Sequence, residues 1–157
     1  MKTILFVCTG NTCRSPMAQE LLLRYLQEQG DNCPLQEYQV LSAGLFTREG
    51  LLASDEAVMV LAGENIDLGR HRSRQLNETL VHEADYILTM SVTQRNYLKN
   101  MFPDLENIET IKQFAAGQPG DIRDPFGEGI EAYRQCLQEL KLLIPHIAMR
   151  IFEQEEP

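Results

Sequence analysis

The amino-acid sequence predicts an α/β layer fold built on a parallel sheet, and three observations carry that expectation. Short apolar runs with β-branched members alternate along the chain with segments of helical spacing. The first run, Thr3-Ile-Leu-Phe-Val-Cys8, is nearly continuous in its apolar character, as suits a strand buried on both faces. That run passes through a Gly- and Asn-containing loop directly into a helical pattern, giving strand, loop and helix in order.

The elements follow one by one. From Ser15 onward, Ala18, Leu21, Leu22, Tyr25 and Leu26 recur at helical spacing as far as Gly30, with Ser15 placed to cap the helix and Pro16 to open it. A second strand is expected over Tyr38 to Ser42 and a helix over Asp55 to Gly63. Asp85 to Met90 reads as a third strand, Val92 to Met101 as a helix, and Ile108 to Phe114 as the last strand. A Gly- and Pro-rich loop (Gly117, Pro119, Gly120, Pro125, Gly127, Gly129) leads to a final amphipathic helix from Ile130, which Pro145 should kink or end. The acidic tail Glu153 to Glu156 is expected to fray.

A chain of 157 residues corresponds to one domain, 1–157, large enough to bury roughly 70% of its unfolded surface in one core. The content of 43% hydrophobic and 24% charged residues is that of a globular protein. No run approaches the ~20 apolar residues of a spanning helix, and the N-terminal apolar segment enters polar sequence at once, so neither membrane span nor signal peptide is read and a cytoplasmic location is expected. A net charge of −9 argues against a nucleic-acid partner. The nearest approach to a basic cluster is Arg70, His71, Arg72 and Arg74, which could equally be a solvated loop face, the reading favoured for Arg70 and Arg72. Four cysteines (Cys8, Cys13, Cys33, Cys136) form no CxxC pair, so no structural metal is expected.

The chemistry is concentrated in Cys8-Thr9-Gly10-Asn11-Thr12-Cys13-Arg14-Ser15, which lies between a buried strand and a helix N-terminus. A loop wrapped at that place points successive backbone N–H groups inward, and the helix end adds partial positive charge, an environment for a phosphate dianion. Gly10 and Asn11 tolerate the backbone conformations that tight curling demands. The same field favours the thiolate over the thiol at Cys8. Arg14 offers a planar fork of donors that can hold two phosphate oxygens and follow them as charge shifts in a transition state. Ser15 can cap the helix or give its hydroxyl proton to the thiolate. Against this stands the reading of Cys8 as an inert buried cysteine. The loop around it favours the nucleophile.

Phosphoryl transfer to a thiolate also requires a proton donor for the leaving group. Asp124 is the candidate, because Pro125 restricts its backbone to extended conformations and it lies in the loop after the last strand. Asp121 is the rival, and a turn or cap is the structural alternative for either.

With these residues in hand, the chain resembles the low-molecular-weight protein tyrosine phosphatase family. Val7-Cys8-Thr-Gly-Asn-Thr-Cys-Arg14-Ser-Pro16, Ser42-Ala43-Gly44, Asp85-Tyr-Ile-Leu-Thr-Met90 and Asp124-Pro125-Phe126 match its motifs in order and spacing over nearly the whole chain. The resemblance implies a three-layer α/β/α fold with a four-stranded parallel sheet, no cofactor or metal, a phosphocysteine intermediate and phosphorylated proteins as substrates. It implies catalytic roles for Cys8, Arg14 and Asp124, and phosphate or substrate contacts from Thr9, Gly10, Asn11, Thr12, Cys13, Ser15 and Phe126. It further implies that Asn11, Ser42 and His71 form a network bracing the loop; for His71, an exposed polar residue is the equal alternative. Cys13 matches a position able to form a reversible disulfide with the nucleophile, a small packing residue being the alternative.

Thr12 stands where tyrosine-specific members commonly carry a branched aliphatic residue, and Gly127 where they carry a second aromatic. In both respects the chain resembles the bacterial protein-arginine phosphatases. A threonine hydroxyl can accept from a planar, polar guanidinium, whereas a phenol ring prefers apolar walls. Phe46 and Phe126 remain as pocket walls, with Phe46 alternatively in the core. The expected function is thus dephosphorylation of phosphoarginine in proteins by a monomer, the alternative being phosphotyrosine.

Two other classes are disfavoured. Arsenate reductases of this fold use additional cysteines in a mobile segment, and residues 81–90 contain none. A non-catalytic phosphate-binding module would not need both Cys8 and Asp124. Gly127-Glu-Gly129-Ile-Glu-Ala132 matches a dinucleotide-binding fingerprint, but no strand is read directly before it and too little chain remains for the rest of the unit, so chance explains it better.

Overall fold

The structure, a computed structural model, describes residues 1–32 and 35–156; Cys33 lies outside the described residues. Strand β1 (Lys2–Cys8) leads through the Cys8-to-Arg14 loop into helix α1 (Arg14–Glu28). Strand β2 (Tyr38–Gly44), helices α2 (Asp55–Ala62) and α3 (Glu78–Glu83), and strand β3 (Tyr86–Thr89) follow. Helix α4 (Val92–Met101), strand β4 (Ile108–Thr110), and helices α5 (Ile111–Ala116) and α6 (Ile130–Glu155) complete the order.

The four strands form one parallel sheet in the order β2-β1-β3-β4. The alternation along β1 divides the core. Ile4, Phe6 and Cys8 face the layer containing Met17 and Leu22 of α1 and Tyr133 and Leu140 of α6. Leu5 and Val7 face Val81 of α3 and Leu98 of α4 on the other side. Helices therefore cover both faces, which is why β1 reads as unbroken apolar sequence. The chain leaves β1 toward β2 on one side and later adds β3 on the other, so a crevice opens beyond the carboxyl ends of β1 and β3. The Cys8-to-Arg14 loop occupies it.

Several sequence expectations are corrected. Ile108 to Phe114 is a strand only as far as Thr110, whose side chain accepts from the Gln113 N–H and caps α5. Pro145 does not end α6, because the buried stripe Leu140, Ile144, Ile147, Ala148 and Ile151 continues through it and packing outweighs the lost backbone hydrogen bond. The acidic tail is helical to Glu155, which is tied down by the Tyr86 hydroxyl at 2.7 Å and by Lys2 at 3.5 Å. Ser15 does not cap α1: the cap position falls on Cys13, without a side-chain hydrogen bond, and Pro16 sits in the first turn, where its missing N–H costs nothing. Helix α3, capped by Asn77, was not anticipated from the sequence.

Phe6, fully buried at the centre of β1, should be the most sensitive single core position. Phe6→Ala is expected to lower unfolding free energy by about 3–5 kcal/mol, read from urea unfolding curves of the two proteins.

Candidate active site

The loop after β1 is shaped by Asn11, a fully buried residue held at φ 55°, in the left-handed region. Its N–H donates to Cys8 Sγ at 3.3 Å, and its side-chain amide donates to Ser15 Oγ at 2.8 Å and Ser42 Oγ at 2.9 Å. Its side-chain oxygen accepts from the Arg74 N–H at 2.9 Å, and its carbonyl meets His71 Nε2 at 2.7 Å. Every polar group of Asn11 is thus engaged, and the burial of an amide is fully compensated. Ser42 at the end of β2 is in turn oriented by donating to Gln19 Oε1 at 2.6 Å.

Ser15 Oγ, which accepts from Asn11, lies 2.8 Å from Cys8 Sγ. With its lone pair occupied by the amide, the hydroxyl proton is free to point at sulfur. Negative charge on Cys8 Sγ therefore has the Asn11 N–H and the Ser15 hydroxyl as partners, at the N-terminal end of α1.

Thr9 is held from the other side. Its hydroxyl accepts from Gln94 Nε2 at 3.1 Å, while Gln94 Oε1 accepts from the N–H groups of Met90 and Ser91 at the start of α4. Its carbonyl accepts from the Phe46 N–H at 3.0 Å. Gly44 stands where the loop crosses β2: a Cβ there would lie 2.9 Å from Thr9 O and 3.1 Å from Asn11 Cβ, closer than a side chain can come.

Arg14 is buried in the first turn of α1, and its Nη1 donates to Ile122 O at 2.8 Å. Nη2 lies 3.7 Å from Asp124 Oδ2. Asp124 also accepts from the Phe126 N–H at 3.1 Å, an Asx turn that aims the carboxyl toward the loop. A cavity of about 260 Å³ is enclosed by Cys8 to Arg14, Asp124 and Phe126. The structure therefore brings together the residues singled out from the sequence. Asp121 is placed differently: its Oδ1 accepts from the Val92 N–H at 2.8 Å and ties the loop to the start of α4.

Other candidates fall at the edges. Phe46 is 64% exposed and pairs edge to face with Tyr97 at 5.3 Å, so it is not core. Gly127 adopts φ 76° with open space around it, and Phe126 alone of that pair reaches the cavity. Cys13 is buried behind the loop, 3.1 Å from the Tyr133 hydroxyl and 3.5 Å from Ser54 Oγ. Burial raises the pKa of Tyr133, with the Cys13 contact adding to the effect, and burial pushes the nearby Cys136 thiol up to about 12. Among the described residues no cluster of His, Cys, Asp or Glu could hold a metal ion.

Gln94, Gln19, Ser54 and Tyr133 were missed by sequence reasoning. Two of them left a signal: Ser54 stands in the N-cap position before the helix at Asp55, and Ser91-Val-Thr-Gln94 has the capping-box pattern that the structure forms around Gln94. The second contact of Gln94, to Thr9, is between residues 85 positions apart.

The family model described as low molecular weight phosphotyrosine protein phosphatase matches residues 3–156. The chain belongs to this family. It is 43% identical to a protein-arginine phosphatase of Geobacillus stearothermophilus over 149 residues, which cover 94% of this chain and 95% of that one. It is 35% identical to the low-molecular-weight protein-tyrosine phosphatase PtpB of Staphylococcus haemolyticus, over 90% of this chain and 94% of the relative. A solved structure of the YwlE arginine phosphatase, a Cys-to-Ser mutant with a phosphorylated active-site serine, superposes with a TM-score of 0.89 at 34% identity. That match covers 98% of this chain and 97% of the other. The protein is accordingly a phosphatase that uses a cysteine nucleophile and acts on phosphorylated proteins. No helix among its described residues is long and apolar enough to cross a membrane.

His71 supplies a pH test of the phosphatase's loop bracing. Burial, the largest influence, holds its pKa below the ordinary 6.5; the Asn11 carbonyl bond opposes this, and the charges of Arg72 and Arg74 reinforce it. The unfolded chain therefore binds this proton at higher pH than the folded one, and stability falls as pH drops from 6.5 through the lower folded value. The difference in urea midpoint between wild type and His71→Asn should shrink on passing from pH 7.5 to 5.5. A constant difference would exclude neutral His71 as a brace.

Proposed function

We propose that the chain, folded as one domain, dephosphorylates phosphoarginine in proteins in the cytoplasm as a monomer, with Cys8 as nucleophile, Arg14 as phosphate clamp and Asp124 as general acid and base. The observation that carries the arginine reading is Thr12, whose polar side chain lines the mouth of the Cys8 cavity where an aliphatic residue would favour a phenol ring. The identity to a protein-arginine phosphatase supports it, and PtpB keeps phosphotyrosine as the second reading.

The geometry supports the following cycle. Cys8 Sγ attacks phosphorus in line, forming an S–P bond as the P–N bond to the guanidine breaks. Loop N–H groups and the Arg14 fork hold the three equatorial oxygens as their charge redistributes. Arg14 is already aligned by Ile122 O through Nη1, leaving Nη2 to exchange its contact with Asp124 for a phosphate oxygen. Protonated Asp124 gives its proton to the departing nitrogen. The carboxylate then accepts a proton from water as that water attacks the phosphocysteine; the S–P bond breaks, inorganic phosphate leaves, and Ser15 donates to the returning thiolate. Ser42 and His71 hold the loop without touching the reacting atoms, whereas Asn11 both holds it and donates its N–H to Cys8 Sγ.

Purified protein assayed on phosphoarginine and phosphotyrosine peptides of the same sequence should show the higher kcat/KM for phosphoarginine; equal or reversed values remove the arginine assignment. Thr12→Ile should move the ratio toward phosphotyrosine by about 10-fold.

The mechanism itself is tested separately. Cys8→Ser should abolish turnover while phosphate binding persists, and Asp124→Asn should lower kcat by about 10²–10⁴-fold. A fully active Cys8→Ser protein would exclude the phosphocysteine route.

A further inference from the structure

A second cavity adjoins the Cys8 pocket. It is a groove of about 910 Å³ between the segment after β2 and helix α4, more than three times the volume around Cys8. Its floor is apolar and buried, from Leu45, Val81 and Leu98. Its mouth carries Leu51 and Met101, 42% and 54% exposed, beside the Phe46–Tyr97 ring pair. None of these side chains has a role in the phosphoryl-transfer chemistry. An exposed apolar concavity of this size marks a binding surface.

The groove is continuous with the reaction site, since Gly10 and Thr12 line both cavities and form the wall between them. A phosphorylated side chain seated over Cys8 belongs to a polypeptide that must leave the pocket at its mouth, beside this wall. An extended peptide advances ~3.3 Å per residue, so a neighbour two or three positions away reaches the adjoining cavity. The charged groups at the rim are one of each sign, Arg48 and Glu78, so the groove offers no net charge for an anionic occupant such as a nucleotide. Its chemistry fits an uncharged, apolar side chain.

We propose that this groove is a substrate-docking subsite that takes a large apolar side chain, of the leucine, methionine or phenylalanine class, lying within three residues of the phosphorylated one. The proposal rests on the phosphatase reading and adds to it a selection among protein sites by their flanking sequence. Thr12 then serves two surfaces: it meets the leaving group on one side and the docked neighbour on the other. Small phosphorylated molecules lack the flanking residue and are handled by the Cys8 pocket alone.

The test compares three substrates: free phosphoarginine, a phosphoarginine peptide with leucine at the flanking positions, and the same peptide with serine there. Wild-type protein should turn over the leucine peptide with kcat/KM about 10-fold above the serine peptide, carried by KM. The double variant Leu51→Glu and Met101→Glu, at exposed positions, should remove that advantage and leave free phosphoarginine unchanged. Equal kcat/KM for the two peptides with wild-type protein would overturn the subsite. So would a variant that loses activity equally on all three substrates. A concentration-dependent dimer of the wild type in sedimentation velocity, abolished in the variant, would assign the groove to a second copy of this chain instead. If phosphoarginine is not hydrolysed but phosphotyrosine is, the arginine assignment alone fails, and the leucine and serine peptides carrying phosphotyrosine decide the subsite.

Discussion

Asn11 holds the reaction loop in one shape. A buried side chain in a left-handed backbone conformation is costly unless its surroundings compensate it, and here five hydrogen bonds do so. They come from β2 through Ser42, from the first turn of α1 through Ser15, and from the segment at 71–74 through His71 and the Arg74 amide. Because the Asn11 N–H itself meets Cys8 Sγ, the residue that fixes the loop also favours negative charge on that sulfur, the proposed nucleophile. Shape and electrostatics are here one device, and loosening either would loosen the other.

The sheet order explains why these parts converge. A crevice between the carboxyl ends of β1 and β3 exists only because the chain reverses its direction of strand addition there. The same reversal brings the start of α4 next to Thr9, so that Gln94 caps its own helix and holds the loop with one side chain. It also brings the loop of Asp124 over α1, where Ile122 O engages Arg14 and Asp121 engages the α4 N-terminus. Asp124, the proposed general acid, is thereby carried on a segment pinned at both Asp121 and Ile122. Thus Arg14 and Asp124, the proposed phosphate clamp and proton donor, are positioned relative to each other by hydrogen bonds between side chains and backbone groups.

The local chemistry was legible because it is contiguous. Cys8, Arg14 and Ser15 lie within one turn of chain, and a buried strand followed by a Gly-Asn loop and a helix has few other uses. Where two local signals competed, packing decided. Thr110 ended a strand that apolar pattern alone would have continued to Phe114, and the stripe flanking Pro145 carried α6 through a residue that normally stops a helix. Ser15 illustrates the limit at a single residue: its type and place suit a cap, but its hydroxyl is recruited by Cys8 and Asn11, a stronger claim than an exposed N–H could make.

Strand and helix periods, and the β1-to-α1 loop that carries Cys8 and Arg14, were determined by the sequence itself, because each depends on residues within hydrogen-bonding or packing reach along the chain. The bond of the Arg74 amide to Asn11, the hold of Gln94 on Thr9, the dispatch of Asp121 to a helix end and the apolar groove behind Thr12 were decided only by tertiary structure. The three hydrogen bonds join residues separated by 29 to 85 positions, and no periodicity or spacing encodes which distant groups the fold will bring within about 3 Å of each other.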